Sequence, residues 1–291
     1  GIWFDGSSVE GYTRIHESDM FLKPDLDTYA VIPWLSIDDK KTARFICDVY
    51  TPKGTPFDGD PRYILKKSLD EAKKYGYTFN VGPEPEFYLF KKEDSTKTLT
   101  HDVGGYFDLS MDRAFEIRCE MVTTLEKMGI NVEMSHHECG PGQHEIDFQY
   151  ADALKTADNV ITLKFTIKAI AQKYGLHATF MPKPVFGLAG NGMHCHQSLS
   201  DIKTGKNLFY DPSDKYNLSK TAKSFIEGQL RHIKELSAVL SPLVNSYKRL
   251  VPGYEAPVYI CWARINRSAL IRIPAIHEGS GRTECEHLEA S

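Results

Sequence analysis

Apolar residues recur at helical spacing in four long segments, which predicts helices over residues 61–75, 112–128, 152–174 and 219–250. The first segment begins with Asp60 and Pro61, a capping residue followed by a proline at the first helical position. Pro242 lies inside the last segment, and proline removes a helical hydrogen bond. We therefore expect the last helix to be broken or kinked there.

Eight stretches between these helices show strand-like alternation of apolar and polar residues: Arg44–Tyr50, Thr78–Phe90, Asn131–Glu138, His144–Gln149, His177–Met181, Gly192–Leu199, Ala269–Ile273 and Arg282–Glu286. Helices and strands are intermixed, often as a helix followed by an antiparallel-looking hairpin. This order predicts an α+β fold with a large, mainly antiparallel sheet flanked by helices.

Acidic and histidine residues alternate along several of these strands, beginning with Glu84 and Glu86 in GPEPEFYLF. Residues i and i+2 of a strand share a face, so these two carboxylates point the same way. Pro85 between them lacks an N–H donor, which indicates a sheet edge or a bulge. The same alternation recurs at Glu145 with Asp147, at His194 with His196, and at Arg282 with Glu284 and Glu286.

Two interpretations of this pattern stay open. A polar outer face is normal for an antiparallel sheet with one side in water. The alternative is a site for hard cations, because several carboxylates with an imidazole suit Mg²⁺ or Mn²⁺. A Gly-Pro-Gly turn after Glu138 would fold Glu145 back beside it. Two cations would neutralise such converging carboxylates.

Arginines crowd an otherwise apolar span near residues 249–282, and guanidinium groups suit carboxylates or phosphates. Surface ion pairs are the alternative role for each of them. The arginines are Arg249, Arg264, Arg267, Arg272 and Arg282. Metal-binding carboxylates together with anion-binding arginines indicate phosphoryl transfer. The sequence contains neither a G-x-x-x-x-G-K-[ST] loop nor a kinase signature.

The amino-acid composition argues against several classes of protein and partner. The 291 residues are 41% hydrophobic and 25% charged, with a net charge of −4, so a nucleic-acid partner is not expected. No apolar run approaches the roughly 18 residues of a membrane span, and no signal peptide is present. The six cysteines lack C-x-x-C spacing, which predicts buried thiols rather than disulfides or zinc ligands. We expect a cytoplasmic protein that contacts no membrane.

Nine short motifs occur along the chain in this order: FDGSS, GPEPEF, GGYFD, SHHE, GQHEIDF, MPKPVFG, GMHCHQSL, YKRLVPGYEAPVYI and NRSALIRIP. Together they resemble the motifs of the type I glutamine synthetase family of bacteria and archaea. The resemblance runs from residue 1 to about residue 285. It implies ATP-dependent ligation of ammonia to L-glutamate through γ-glutamyl phosphate. It also implies the C-terminal part of a β-grasp domain at 1–55 and a catalytic domain at 56–291. The assembly implied is a homo-oligomer of two hexameric rings with active sites shared between subunits.

The resemblance also implies roles for individual residues, with two Mg²⁺ or Mn²⁺ ions per site and ATP as substrate. One ion would be held by Glu86, Glu138 and Glu145, and the other by Glu84, His194 and Glu284. Glutamate and ammonium would contact Ser8, Tyr106, Gly190 and Arg249. The nucleotide would contact Glu133, Tyr150, His196, Ser198, Arg272 and Arg282. The implied catalytic residues are Asp5, Glu255 and Arg267, with Asp5 deprotonating ammonium and Glu255 on a closing flap.

Several positions depart from the family pattern. Ala189 replaces the asparagine that latches the flap, Glu286 replaces a substrate-binding arginine, and Ile265 stands where an arginine is usual, with Arg264 one place earlier. Most of the β-grasp domain is missing before Gly1, and the sequence diverges after Arg282. We therefore expect a piece of a longer protein with weak or no synthetase activity of its own.

Two other functions remain open alongside this one. The first is a ligase of the same fold that joins glutamate to another amine, such as a polyamine. Asp5 favours ammonium, because a small acid-lined pocket suits a small cation. The second is a non-catalytic paralogue or fragment, which Ala189 and Glu286 favour and the complete set of six metal-ligand candidates opposes.

Overall fold

The computed structural model describes residues 1–13, 19–36, 38–92, 99–266, 268–276 and 279–291. The chain divides into two compact units. One comprises Gly1–Gly76 with Lys127–Gly129, and the other Tyr77–Glu126 with Ile130–Ser291. In the part of the chain described, every helix is too short or too polar to cross a membrane. The mixture of helices and antiparallel strands confirms the predicted α+β class.

The first unit contains a three-stranded antiparallel sheet in the order β1-β2-β3, followed by helix α1. Its elements are β1 (Ile2–Asp5), β2 (Asp19–Val31), β3 (Ala43–Tyr50) and α1 (Pro61–Lys74). The sequence pattern missed β2, because Pro24 and its aspartates are poor strand formers. Tertiary pairing makes them tolerable: Arg62 of α1 donates to Asp25 over 2.7 Å and also binds Asp48.

The second unit is built on a nine-stranded sheet in the order β10-β11-β12-β9-β4-β6-β5, with β7 and β8 also paired to β4. Every pair is antiparallel except β10–β11, which confirms the predicted mainly antiparallel sheet. The strands are β4 (Tyr77–Lys91), β5 (Val132–His137), β6 (Gln143–Phe148), β7 (Ala151–Asp152), β8 (Leu176–Thr179), β9 (Met193–Asp201), β10 (Tyr259–Ala263), β11 (Ala269–Arg272) and β12 (Thr283–Cys285). The sequence pattern did not predict β7 or β10.

Within the described ranges, four α-helices accompany this sheet: α2 (Phe115–Lys127), α3 (Ala153–Lys173), α4 (Lys220–Leu240) and α5 (Ser246–Arg249). The break at Pro242 is confirmed, since α4 ends before it and α5 begins after it. Helix α2 begins three residues later than expected. The Asp112 carboxylate instead accepts a hydrogen bond from the N–H of Ala114 and pairs with Arg118, which holds residues 112–114 in a turn.

Although β4 is a central strand of the sheet, the local pairing around Pro85 bears out the expected edge rather than a bulge. Pairing with β9 extends to Pro85, opposite Met193, and pairing with β6 begins at Glu86. On the other side, β7 pairs only with Asn80 and Val81. Among the described pairings, residues 82–85 therefore have a strand on one side only, which is where a missing N–H costs little.

The apolar core of the second unit forms around β4, where Phe87, Tyr88 and Leu89 are fully buried. Helix α3 packs against β4 and β8, and α4 packs against β10 and β11. All six cysteines are described and are free thiols. Cys195 and Cys285 are buried as expected, but Cys119 and Cys139 are exposed, so the prediction of uniformly buried thiols is wrong.

Candidate functional site

The strand registers collect the alternating acids and histidines on one face of the large sheet. In antiparallel strands, directly opposite residues share a face. Glu84 lies opposite His194, and Glu86 lies opposite Glu145, which in turn lies opposite His136. Glu284 lies opposite His196 on one side and Arg272 on the other. We call this set the acidic face: Glu84, Glu86, His136, Glu145, Asp147, His194, His196 and Glu284.

One group on the acidic face has the composition of a cation site. Single ligand atoms of Glu84, His194 and Glu284 all lie within 4.8 Å of one another. His194 Nε2 and Glu284 Oε2 are buried and have no hydrogen-bond partner among the described residues. Burial, followed by the charge of Arg249, lowers the pKa of His194 to about 3, which keeps the imidazole in the neutral form that binds metals. These three residues fit a divalent cation.

A second group brings ligand atoms of His136, Glu145 and Asp147 within 4.8 Å of one another. His136 lies between two of the predicted ligands, with Nδ1 3.4 Å from Glu138 Oε1 and Nε2 3.2 Å from Glu145 Oε1. Sequence reasoning had named Glu86, Glu138 and Glu145, and had not assigned His136 or Asp147 a ligand role. The spacing of Asp147 from Glu145, and the HHE sequence before the turn, were signals that could have identified both.

Burial and mutual repulsion raise the pKa values of several carboxylates on the acidic face. Burial, followed by the charge of Glu86, raises the pKa of Glu145 to about 10. Burial and the Glu145 charge raise the pKa of Asp147 to about 9, and burial and Glu138 raise that of Glu86 to about 7. Glu84 differs: burial opposes its ionisation, but the hydrogen bond from His196 together with the charges of His196, His194 and Arg272 lowers its pKa. A bound cation would offset this repulsion between carboxylates. The carboxylate and imidazole donors of the acidic face therefore fit a divalent cation.

Backbone and amide donors fix the orientation of Glu86. Its Oε2 accepts hydrogen bonds from the side chain of Gln143 and from the N–H of Gly192, each over 3.0 Å. Gln143 also donates to the carbonyl of Gly190 over 2.9 Å. Oε1 of Glu86 lies 4.0 Å from His194 Nε2, so this side chain connects the two groups of ligands. Sequence reasoning did not find Gln143, whose position follows from the β4–β6 register.

A cavity of about 410 Å³ opens beside the first group. Of the residues expected to contact a nucleotide, its lining includes Glu133, Tyr150, His196, Ser198 and Arg282. Glu84 also lines it, so the cavity and the first group share a carboxylate. The volume is within the range of small-molecule sites. Arg272 is not part of the lining and instead ion-pairs with Glu284 and, over 3.0 Å, with Glu286.

The expected glutamate-binding residues Arg249 and Gly190 lie together. The Arg249 side chain is 3% exposed, and a Cβ at residue 190 would come within 2.9 Å of Arg249 Cγ. Arg249 Nη2 donates to the carbonyl of Glu286 over 3.0 Å. The Glu286 carboxylate lies 3.2 Å from His194 Nε2. Glu286 is therefore a buried part of the site, with Arg272 as its cationic partner.

The remaining expected residues are more dispersed. Tyr106 is exposed and its ring lies edge-on to His136, with 5.0 Å between the ring centroids. Glu255 is exposed, and its charge is a minor cause of the raised pKa of Glu86, after burial and Glu138. Asp5 and Ser8 belong to the other unit, where Ser8 Oγ donates to Asp5 Oδ2 over 3.2 Å. Arg267 lies outside the described residues.

The other two departures from the family motifs, Ala189 and Ile265, have different surroundings. The carbonyl of Ala189 accepts a hydrogen bond from the hydroxyl of Tyr88 over 2.8 Å. The guanidinium of Arg264 lies over the ring of Tyr216, 5.8 Å from its centroid. Ile265 is 91% exposed.

Comparison with protein families gives two matches along the chain. The family described as "Glutamine synthetase, beta-Grasp domain" matches residues 1–52, and the one described as "Glutamine synthetase, catalytic domain" matches residues 58–291. The chain is similar to curated glutamine synthetases of Clostridium saccharobutylicum (55% identity, 97% of this chain and 63% of the relative) and Thermus thermophilus (56%, 94% and 62%). It thus spans less than two thirds of the length of these relatives.

Two solved structures resemble the chain over its whole length. A cryo-EM structure of Plasmodium falciparum glutamine synthetase superposes with a TM-score of 0.90 at 31% identity, and the chain covers 62% of it. A structure described as a GmaS/ADP complex superposes with a TM-score of 0.89 at 33% identity, and the chain covers 67% of it.

Proposed function

The chain belongs to the glutamine synthetase family, and from that premise we propose that its protein ligates ammonia to L-glutamate with hydrolysis of ATP. The products would be L-glutamine, ADP and phosphate, formed through γ-glutamyl phosphate. One observation carries the proposal: Glu84 lines the cavity of about 410 Å³ and also belongs to the ligand group with His194 and Glu284. A cation held there would lie beside nucleotide phosphates.

Two cations, Mg²⁺ or Mn²⁺, would supply charge neutralisation for phosphoryl transfer. Glu84, His194 and Glu284 would hold one of them. Glu86, Glu138 and Glu145 would hold the other, and His136 and Asp147 stand next to these carboxylates. Gln143 and the N–H of Gly192 orient Glu86 before any ligand binds. This arrangement supports a site that is largely preformed.

The cavity would hold ATP, with Tyr150 offering an exposed ring for the base and Arg282 a guanidinium for phosphate. Glu133, His196 and Ser198 would contribute polar contacts from the same lining. The similarity to a structure solved with ADP supports this assignment. Arg272 would reach a phosphate only by leaving its ion pairs with Glu284 and Glu286.

Arg249 and the Gly190 backbone would bind the glutamate substrate, and Ser8 and Tyr106 would lie near the ammonium site. Asp5 would take a proton from ammonium, Arg267 would contact the transferred phosphate, and Glu255 would close over the intermediate to exclude water. We also propose a cytoplasmic homo-oligomer with shared active sites, and a domain boundary that follows residue 55.

Phosphate release from ATP tests the function, with glutamate and ammonium each omitted in turn. We expect release that needs both co-substrates, at a low rate for this 291-residue chain. Calorimetric titration with Mn²⁺ provides a separate test, and two binding events are expected. A folded chain that binds neither Mn²⁺ nor ATP would contradict the proposal and favour a non-catalytic paralogue.

A ligase for a larger amine is the second candidate of the same fold. The similarity to the GmaS/ADP structure supports this candidate, because its TM-score is close to that of the glutamine synthetase structure. Replacing ammonium by methylamine, ethanolamine or a polyamine in the phosphate-release assay separates the two. Turnover that is faster with a larger amine than with ammonium would favour the second candidate.

A further inference from the structure

The segment 286–291 folds into the site beside Arg249. Glu286, His287 and Ala290 are 3%, 6% and 5% exposed. Three hydrogen bonds that involve its backbone atoms, each of 3.0 Å, hold the segment in place. The N–H of Glu286 donates to the Leu270 carbonyl, the Ser241 hydroxyl donates to the His287 carbonyl, and the N–H of Met193 donates to the Leu288 carbonyl. The segment is therefore attached to β11, to β9 and to the end of α4.

Two groups of this segment face the buried Arg249 guanidinium. Nη2 of Arg249 donates to the Glu286 carbonyl over 3.0 Å. Nη1 lies 3.7 Å from Glu289 Oε1, and the Arg249 and Glu289 side chains are 3% and 0% exposed. The other Glu289 oxygen accepts a hydrogen bond from Ser246 over 2.6 Å. A buried guanidinium needs an anionic partner, and the segment supplies a carboxylate.

The fit between Arg249 and Glu289 is incomplete. At 3.7 Å the two atoms are too far apart for a hydrogen bond. Arg249 Nη1 and Glu289 Oε1 are both buried without a hydrogen-bond partner among the described residues. Gly192 lies close to the guanidinium, since a Cβ there would come within 2.6 Å of Nη2. A free carboxylate could form the bidentate pair that Glu289 does not form.

We propose that residues Glu286–Glu289 act as an internal ligand of the Arg249 anion site and compete there with external carboxylates. The identity of the external carboxylate as L-glutamate rests on the proposed function; the competition itself does not. Because the segment is tethered, its effective concentration at the site is high and lowers the apparent affinity for a free ligand. We expect the competition to be incomplete, because a free carboxylate can hydrogen-bond the Arg249 guanidinium with better geometry than Glu289 does.

Glu289→Ala tests this competition with two probes, L-glutamate in calorimetry and phenylglyoxal modification of Arg249 followed by mass spectrometry. We expect glutamate affinity to rise by about tenfold, because the tethered competitor is removed. We expect Arg249 to be modified several times faster than in the parent chain. Glu235→Ala removes an exposed glutamate of α4 and is the matched control, with neither probe altered.

The two probes separate failure of this proposal from failure of the proposed function. Faster modification of Arg249 without glutamate binding would uphold the internal ligand and reject glutamate as the substrate. Unchanged modification in a folded Glu289→Ala protein would overturn the internal ligand. If the alanine variant does not fold, Glu289→Gln removes the charge but can keep the Ser246 hydrogen bond. An unchanged modification rate of Arg249 in that variant would overturn the proposal equally.

Discussion

Glu86 of β4 and Glu145 of β6 lie directly opposite each other on adjacent antiparallel strands, with 12% and 9% of their side chains exposed. Like charges in directly opposite positions destabilise a sheet. Folding tolerates the pair because donors bind Glu86, and because Glu145 takes up a proton when its pKa is raised. Without a cation the pair destabilises the fold, and with one it can supply two carboxylates for binding.

Substitution of Glu84 and Glu86 separately distinguishes the two cations. Glu84→Ala should remove the Mn²⁺ binding event that involves His194 and Glu284, because it deletes one of three clustered ligands. Glu86→Ala should instead lower the Mn²⁺ affinity of the site that includes Glu145 by roughly ten- to a hundredfold. Loss of a residue that orients a metal ligand has an effect of this size. Calorimetry with Mn²⁺ measures both, and Glu227→Ala on the exposed face of α4 is the control. Loss of the same single event in both variants would reject the division into two sites.

Gly192→Ala should disturb the site without altering any ligand. The added Cβ would come within 2.6 Å of Arg249 Nη2 and 2.9 Å of His194 Nε2, so both side chains must move. We expect weaker Mn²⁺ binding at the His194 site. The control is Gly228→Ala in the middle of α4, where a Cβ meets no atom within 4 Å. That change should stabilise the helix by up to about 1 kcal/mol and leave Mn²⁺ binding unaltered. Equal Mn²⁺ affinity in both variants would contradict the packing argument.

Tyr150→Ala should weaken ATP binding by about tenfold, the effect of losing one base–aromatic stacking contact of about 1–3 kcal/mol. The ring is 64% exposed and lines the cavity. Tyr75→Ala removes another exposed ring outside the cavity and should leave ATP affinity unchanged. Fluorescence titration with a nucleotide analogue measures the difference. Equal affinities for the two variants would place the base elsewhere.

Asp102→Asn should destabilise the second unit by about 3 kcal/mol, the usual cost of breaking a buried ion pair. Asp102 is 4% exposed and accepts hydrogen bonds from His137 Nε2 and from the N–H groups of Gly142 and Arg113. His137 in turn bonds the carbonyl of Glu138 over 2.7 Å. Urea unfolding of the metal-free chain measures the loss, and Glu235→Gln is the control. A loss below about 1 kcal/mol, within the range of exposed pairs, would contradict a buried charge pair.

The same pair predicts a pH window for this stabilisation. Burial opposes ionisation of Asp102, but its hydrogen bond with His137 lowers its pKa to about 2 from 3.8, so its contribution is lost as pH falls below that range. Burial also opposes protonation of His137, but the Asp102 hydrogen bond raises its pKa above 6.5. Its contribution is present below pH 6.5 and is lost as pH rises through the raised value. The free-energy difference between the parent chain and Asp102→Asn should therefore be largest between pH 4 and 6.5. An unchanged difference at pH 9 would show that the pair is neutral.

Local patterns in the sequence determined the elements that carry the site. Helical spacing and capping residues located α1 and α3 to within two residues, and period-two alternation located β4, β6 and β9. Alternation alone also placed Glu84 with Glu86, and His194 with His196, on shared faces. These features are local, because backbone geometry fixes the direction of neighbouring side chains.

Local signals failed where distant partners decide the structure. Strand β2 carries one proline and three aspartates that are unfavourable in isolation, and the ion pair with Arg62 stabilises the aspartate at position 25. Asp112 could have capped a helix but pairs with Arg118, which delays the start of α2. In both cases an ion pair with a side chain several residues away, or on another element, outweighs the local preference.

The grouping of the candidate ligands is a property of the tertiary structure. Residues 84, 194 and 284 are remote in sequence, and only the registers of β4, β9 and β12 bring them within 4.8 Å. The position of Glu289 against Arg249 depends on three hydrogen bonds to separate elements. Period-two alternation is enough to predict which residue types face one side of each strand. Contacts between those residues follow from strand register and burial, which depend on the whole chain.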